Sequence, residues 1–163
     1  MPTARRSRTI AASAEDLWAL VSDPHHLPRW WPRVTRVEDV GDDVFTEVMR
    51  TAKGKVVRAD FDLVRSDEQM RSLTWSQRVQ GTPFGRLLKS AETEVRLAPG
   101  QAAGRPPSIA TGSPGQIGAE TEVTIELRQE LTGFFPRFGG FMVRRAALDT
   151  IDQALEGLER ISG

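Results

Sequence analysis

Both histidines of the chain and two of its four tryptophans fall within 25-HHLPRWWPRV-34, a stretch fenced by Pro28 and Pro32. Imidazoles beside indoles can form a metal site, a general base next to a stacking platform, or simply a folded corner. A metal held by two histidines and a carboxylate needs the imidazoles one helical turn apart or on neighbouring strands. His25 and His26 are consecutive, so on a helix their side chains diverge by about 100°, and no metal is expected here. Other chemistry is excluded by what the chain lacks. It has no cysteine, hence no disulfide, thiolate zinc site or thiol nucleophile, and no tyrosine to act as a phenolic acid. There is no G-x-S-x-G elbow, no P-loop and no dinucleotide fingerprint. An acid–base role for one imidazole stays open, catalytic residues are otherwise unassigned, and no cofactor is expected.

The elements that would position these residues are written in the hydrophobic pattern. Ser13 is a good N-cap for a short helix over 13-SAEDLWALV-21, with Asp16 at the capping-box position and Leu17, Trp18, Leu20 and Val21 on one apolar face. Asp23-Pro24 stops that helix. A second helical piece is expected from Pro24 to about Trp30, and Pro32 ends it. Four later segments alternate with a period of two. Val57, Ala59, Phe61 and Leu63 share one face. Leu73, Trp75 and Val79 share a face with Gln77, and Leu87, Ala91, Val95 and Leu97 with Lys89 and Thr93. Val123, Ile125, Leu127 and Leu131 share a face with Gln129. Weaker strands precede them over 5–11, 34–40 and 44–51. Seven such strands predict an antiparallel sheet with one wet and one covered face.

The period changes after 132-TGFFP-136. Phe138, Phe141, Met142, Leu148, Ile151, Leu155, Leu158 and Ile161 recur at threes and fours, predicting an amphipathic helix of roughly 25 residues, ~40 Å long. Between the last two strand patterns, residues 98–119 hold five glycines, four prolines and a single charge, Arg105. This reads as a flexible hairpin insertion rather than a domain linker, within a single domain spanning 1–163.

Composition narrows the class further. A chain of 163 residues that is 39% hydrophobic and 27% charged can bury a real core. Twenty-two basic residues balance 22 acidic ones, so nothing global attracts nucleic acid or an anionic membrane. No run approaches the ~18 apolar residues of a membrane span, and the N-terminus has no apolar signal core. A cytoplasmic monomer or homodimer, without nucleic-acid partner or stable membrane insertion, is the expectation.

The order strand, two short helices, six strands and long helix is α+β, and a curved sheet closing on one long helix has a helix-grip shape. The residues carry a resemblance to match. The segment 10-IAASAEDLWALVSDPHHLPRWWPRVTRVEDV-40 resembles the opening of the START-like or Bet v 1-like (SRPBCC) superfamily, in its polyketide cyclase/dehydrase and lipid-transport branch. The small-residue turn, acidic residue, "LW" helix, Asp-Pro break and W-x-P-x-V all follow in order. Further matches are 73-LTW-75, 119-AETEVTIEL-127 and 148-LDTIDQALEGLERI-161. The resemblance covers the chain apart from 98–119 and rests on order and spacing, since no single motif is specific.

The resemblance implies a deep apolar cavity between sheet and helix that holds a lipid, polyketide or similar hydrophobic molecule. The residues support this in part. The inward face carries Gln77, Lys89, Thr93 and Gln129, joined by Arg71 and Glu47, and a solid core tolerates few such groups because an unpaired buried amide or amine costs several kcal/mol. The alternative is that strand ends return these side chains to solvent. The expected walls are Phe61, Leu73, Trp75, Ile125, Phe138, Phe141 and Met142, with Gln77, Lys89, Gln129 and Arg145 orienting the ligand's polar end. Arg145 would pair a carboxylate or enolate. The functional expectation is non-covalent binding of a hydrophobic small molecule. Cyclase/dehydrase chemistry on a poly-ketone, or a protein-interaction module without ligand, are the alternatives.

Overall fold

A computed structural model describes residues 3–100, 119–133 and 139–162. The chain begins with β1 (Thr3–Ile10), followed by two short helices, α1 (Ala14–Val21) and α2 (Leu27–Trp30). Six strands come next: β2 (Val34–Glu38), β3 (Val44–Arg50), β4 (Val56–Asp67), β5 (Ser72–Gln77), β6 (Leu88–Pro99) and β7 (Thr121–Leu131). The long helix α3 (Gly139–Ser162) closes the fold. The strands form one antiparallel sheet in the order β1-β7-β6-β5-β4-β3-β2. This is the α+β helix-grip architecture. No helix among the described residues is long and apolar enough to cross a membrane.

Local chemistry sets the corner between α1 and β2. Ser13 caps α1 through its hydroxyl, which accepts the Asp16 N–H at 3.1 Å. Leu17, Trp18 and Val21 then turn inward. Asp23 caps a single 3-10 turn over Pro24–His26 by accepting the His25 N–H at 3.0 Å. The turn runs directly into α2, which ends where Pro32, having no N–H to donate, follows Trp31. α2 packs tightly on α3. A Cβ at Gly157 would collide with the Trp30 carbonyl, so this crossing requires glycine.

Three polar ties run along the helix and fix its register on β1. The Arg144 guanidinium donates to the Thr3 carbonyl at 3.1 Å, Arg6 meets Asp152 at 3.5 Å, and Arg8 meets Glu159 at 3.5 Å. Bulges between Val34 and Arg36, Leu63 and Arg65, and Leu88 and Ser90 bend the sheet around the helix. On the outer face Arg128 sits among Glu94, Glu126 and Glu92 at 2.9, 3.1 and 3.3 Å. β6 and β7 pair up to Pro99 and Thr121, and the Gly100 N–H donates to the Glu120 carbonyl at 2.9 Å. The segment between them is therefore a hairpin connection, and its residues 101–118 lie outside the described residues.

The helix departs from expectation in its first turns. Phe141 and Met142 were expected on the inward stripe, yet they are 67% and 68% exposed. The face that meets the sheet there is made by Val143, Ala146, Ala147 and Thr150. At about 100° per residue, Phe141 lies nearly opposite Val143 and Thr150, and Met142 on their flank. Only from Ile151 onward do large apolar residues hold the inward stripe.

Candidate functional site

The inner face of the sheet can be read in rows. Leu63 lies opposite Trp75, Trp75 opposite Thr93, and Thr93 opposite Leu127. In the neighbouring row Phe61 faces Gln77, and Ala91 faces Gln129. Glu47 faces Ala59 at the β3 side. Between these rows and the first half of α3 the chain leaves a pocket of about 310 Å³. Its floor is Phe61, Trp75, Gln77, Ala91, Thr93, Leu127 and Gln129, its β3 side is Glu47 and Met49, and its roof is Val143, Ala146, Ala147 and Thr150. Trp31 closes the flank, edge-to-face with Trp75 at 6.1 Å and 70°. Phe45 stacks on Phe61 at 5.2 Å, stiffening the wall from behind. The hollow exists because small side chains face each other across it, Ala91 from the sheet and Ala146 and Ala147 from the helix.

Its polar groups are few and mostly uncharged: Gln77, Thr93, Gln129 and Thr150. Gln77 Nε2 is buried without a hydrogen-bond acceptor among the described residues. Glu92 touches the pocket while its carboxylate pairs with Arg128 on the outer face at 3.3 Å. Glu47 is different. It is only 2% exposed, and burial with no compensating partner pushes its carboxyl up to about 8. At neutral pH it is therefore mainly the protonated acid. Among the described residues, no lysine, arginine or histidine lines the pocket.

The structure sorts the expected site residues into groups. It brings Phe61, Trp75, Gln77 and Gln129 together on the pocket wall. Leu73 and Ile125 face inward but sit further along the sheet, 3% and 0% exposed in the solid core. Lys89 does not face inward. It falls in the bulge between Leu88 and Ser90, which breaks the alternation, and its side chain is exposed beside the β5–β6 turn. Arg145 is exposed on the helix face away from the pocket, two residues out of phase with Val143 and Ala147, so it does not meet a carboxylate or enolate there. Phe141 and Met142 face outward as described, and Phe138 lies outside the described residues.

Three contributors were missed. Trp31 is not among the expected walls, Glu47 is read as inward without a role, and the roof of Val143, Ala146, Ala147 and Thr150 is not anticipated at all. The signal for Glu47 was present, since it alternates with Phe45 and Met49 in 44-VFTEVMR-50. The histidines stay outside the pocket: His25 Nδ1 meets Asp23 at 2.9 Å, and His26 Nδ1 meets the Arg29 guanidinium at 3.1 Å.

Solved structures share this fold. A protein from Bacillus cereus described as XoxI superposes with a TM-score of 0.73 over 99% of this chain and 96% of its own, at 15% identity. A START superfamily protein from Mycobacterium smegmatis gives 0.71 over 98% and 96%, at 16% identity. The di-domain ARO/CYC protein BexL of the BE-7585A biosynthetic pathway gives 0.71 over 98% of this chain and 46% of its own, at 20% identity. At these identities the likeness is one of fold. No curated protein sequence matches the chain. The family model described as polyketide cyclase / dehydrase and lipid transport matches residues 1–163, and with that match over its whole length the chain belongs to that family.

Proposed function

We propose that this protein binds a hydrophobic small molecule, non-covalently, in the pocket between the sheet and the first half of α3. The observation that carries the reading is a hollow of about 310 Å³ walled by Trp31, Phe61 and Trp75, with a few polar groups placed among them. That volume and that mixture are those of small-molecule sites. The test is titration with N-phenyl-1-naphthylamine, an uncharged probe that fluoresces in apolar surroundings. Saturable one-to-one binding with energy transfer from tryptophan is expected, and native mass spectrometry of gently purified protein should show any molecule already held. A flat titration together with an unliganded mass spectrum would remove this reading.

Glu47 favours a second reading, cyclase- or dehydrase-type chemistry on a poly-ketone. Such chemistry needs a group that can give and take a proton in contact with the substrate, and Glu47 is the lining residue with that capacity. Incubation with a short aromatic-precursor poly-ketone and detection of a cyclised product separates it from simple binding.

A further inference from the structure

The pocket's own polar groups constrain the polar end of whatever occupies it, an inference that rests on the binding reading above. We infer that the Glu47 carboxyl donates a hydrogen bond to an uncharged carbonyl oxygen of the bound molecule, so that the site selects neutral carbonyl compounds over carboxylates and amines of the same shape.

Glu47 lines the pocket and is 2% exposed, and among the described residues burial alone acts on its carboxyl, with no charge or hydrogen bond to offset it. A buried polar group without a partner is costly and is rare in native proteins unless a ligand or water completes it. The charged groups nearest in sequence and across the neighbouring strands do not complete it. Arg36 and Arg58 both bind Glu38, at 2.6 and 2.5 Å, on the exposed side of the sheet. Arg145 lies on the far face of α3. As an acid, Glu47 has an O–H to give and no acceptor for it. Gln77 Nε2, which also lines the pocket, is buried and without an acceptor among the described residues. Two donors short of acceptors call for a ligand that supplies oxygen.

The competing chemistries fit less well. A carboxylate would enter a space lined by no cation among the described residues, adding a desolvated charge that none of them balances. An amine would satisfy Glu47 by ionising it, but would bring more donors and leave Gln77 Nε2 as it was. The flat aromatic surfaces of Trp31, Phe61 and Trp75 suit fused rings carrying the carbonyl.

The experiment uses four probes of one shape at about pH 6, where Glu47 is protonated: naphthalene, 2-acetylnaphthalene, 2-naphthoate and 2-naphthylmethylamine. Each is titrated into the wild-type protein, Glu47→Gln and Glu47→Leu, following tryptophan quenching. The ketone is expected to bind roughly tenfold tighter than naphthalene and tighter than either ion. In Glu47→Leu the ratio of ketone to naphthalene affinity should fall to about one; Glu47→Gln, which retains an N–H donor, should keep part of the advantage. A ketone advantage that survives Glu47→Leu, or tighter binding of the naphthoate or the amine, overturns the inference while leaving the pocket reading intact. Failure of all four probes, naphthalene included, overturns the pocket reading itself and this inference with it.

Discussion

α3 meets two different surfaces along its length. In its second half Ile151, Ala154, Leu155 and Leu158 are 0–1% exposed, packed with Ile10, Leu17, Val95, Val123 and Ile125 into a continuous core. In its first half the same helix offers Val143, Ala146, Ala147 and Thr150 to a sheet face that carries Gln77, Thr93 and Gln129, and a hollow remains between them. The sheet strands run through both regions unbroken. The difference is therefore one of side-chain volume and polarity on a shared backbone frame, with the solid half holding the helix in place and the hollow half left free to take a ligand.

The two tryptophans of α2 and its C-cap stand on either side of this divide and offer the sharpest test of it. Trp30 is 2% exposed and its carbonyl lies against Gly157, in the solid half. Trp31 is half-buried and closes the pocket against Trp75. Trp30→Ala should cost about 3–5 kcal/mol of stability, the range for removing a buried aromatic. Trp31→Ala should cost clearly less in chemical denaturation, yet weaken binding of N-phenyl-1-naphthylamine more than any loss of stability accounts for. Equal costs for the two, or undiminished binding in Trp31→Ala, would mean that the boundary has been drawn in the wrong place.

The solid half was far more legible in the sequence than the hollow half, and for a physical reason. Large apolar residues at helical or strand spacing announce a core directly, as Ile151, Leu155, Leu158, Val95 and Val123 do. A pocket is marked by what is missing, and alanines at 91, 146 and 147 give no signal in a hydrophobic pattern. Phe141 and Met142 satisfied the count of threes and fours, but apolar character could not show that their helical phase carries them past the sheet. Lys89 failed for a similar reason. Alternation from Val95 back to Lys89 is correct only if the strand is regular, and the bulge at Leu88–Ser90 resets it. Order and spacing were enough for the fold because helix caps, proline stops and period-two strands are local. Glu47 could be placed inward by the same local rule, whereas its lack of a partner depends on four strands and a helix at once.

Glu47 marks an energetic difference between the halves, since it is the one buried acid among the described residues and it lies on the hollow side. Its carboxyl titrates near an ordinary 4.5 when the chain is unfolded and near 8 when it is folded. Between these values the folded protein holds a proton that the unfolded chain has lost. Raising the pH therefore favours unfolding, by roughly 1.4 kcal/mol per pH unit at most across that window. The contribution is most favourable below about 4.5 and fully lost above about 8. Glu47→Gln removes the titration, so its stability relative to wild type should climb as pH rises from 5 to 8. Urea denaturation of both proteins at several pH values measures the difference, in which titrations elsewhere cancel. A difference that does not change with pH would show that Glu47 is ionised or solvated in the folded state.

One substitution made at two positions of α3 isolates volume alone. Ala154 is 0% exposed in the solid half, and Ala147, 6% exposed, forms part of the pocket roof. Leucine at either position keeps a good helix former on the same stripe, so propensity and polarity are nearly constant between the two variants. Ala154→Leu forces extra methyl groups into close packing and should cost about 1–3 kcal/mol. Ala147→Leu has empty space to enter, and should change stability by less than about 1 kcal/mol, because the added apolar surface gains contacts as it fills the hollow. It should also abolish binding of the uncharged naphthyl probe, which competes for the same volume. If Ala147→Leu destabilised the protein as much as Ala154→Leu, both halves would be equally full and the hollow would not be space a ligand can use. If Ala147→Leu proved neutral yet left probe binding untouched, the probe would be seated elsewhere, with the exposed hollow beside the β5–β6 turn and Lys89 the next place to look.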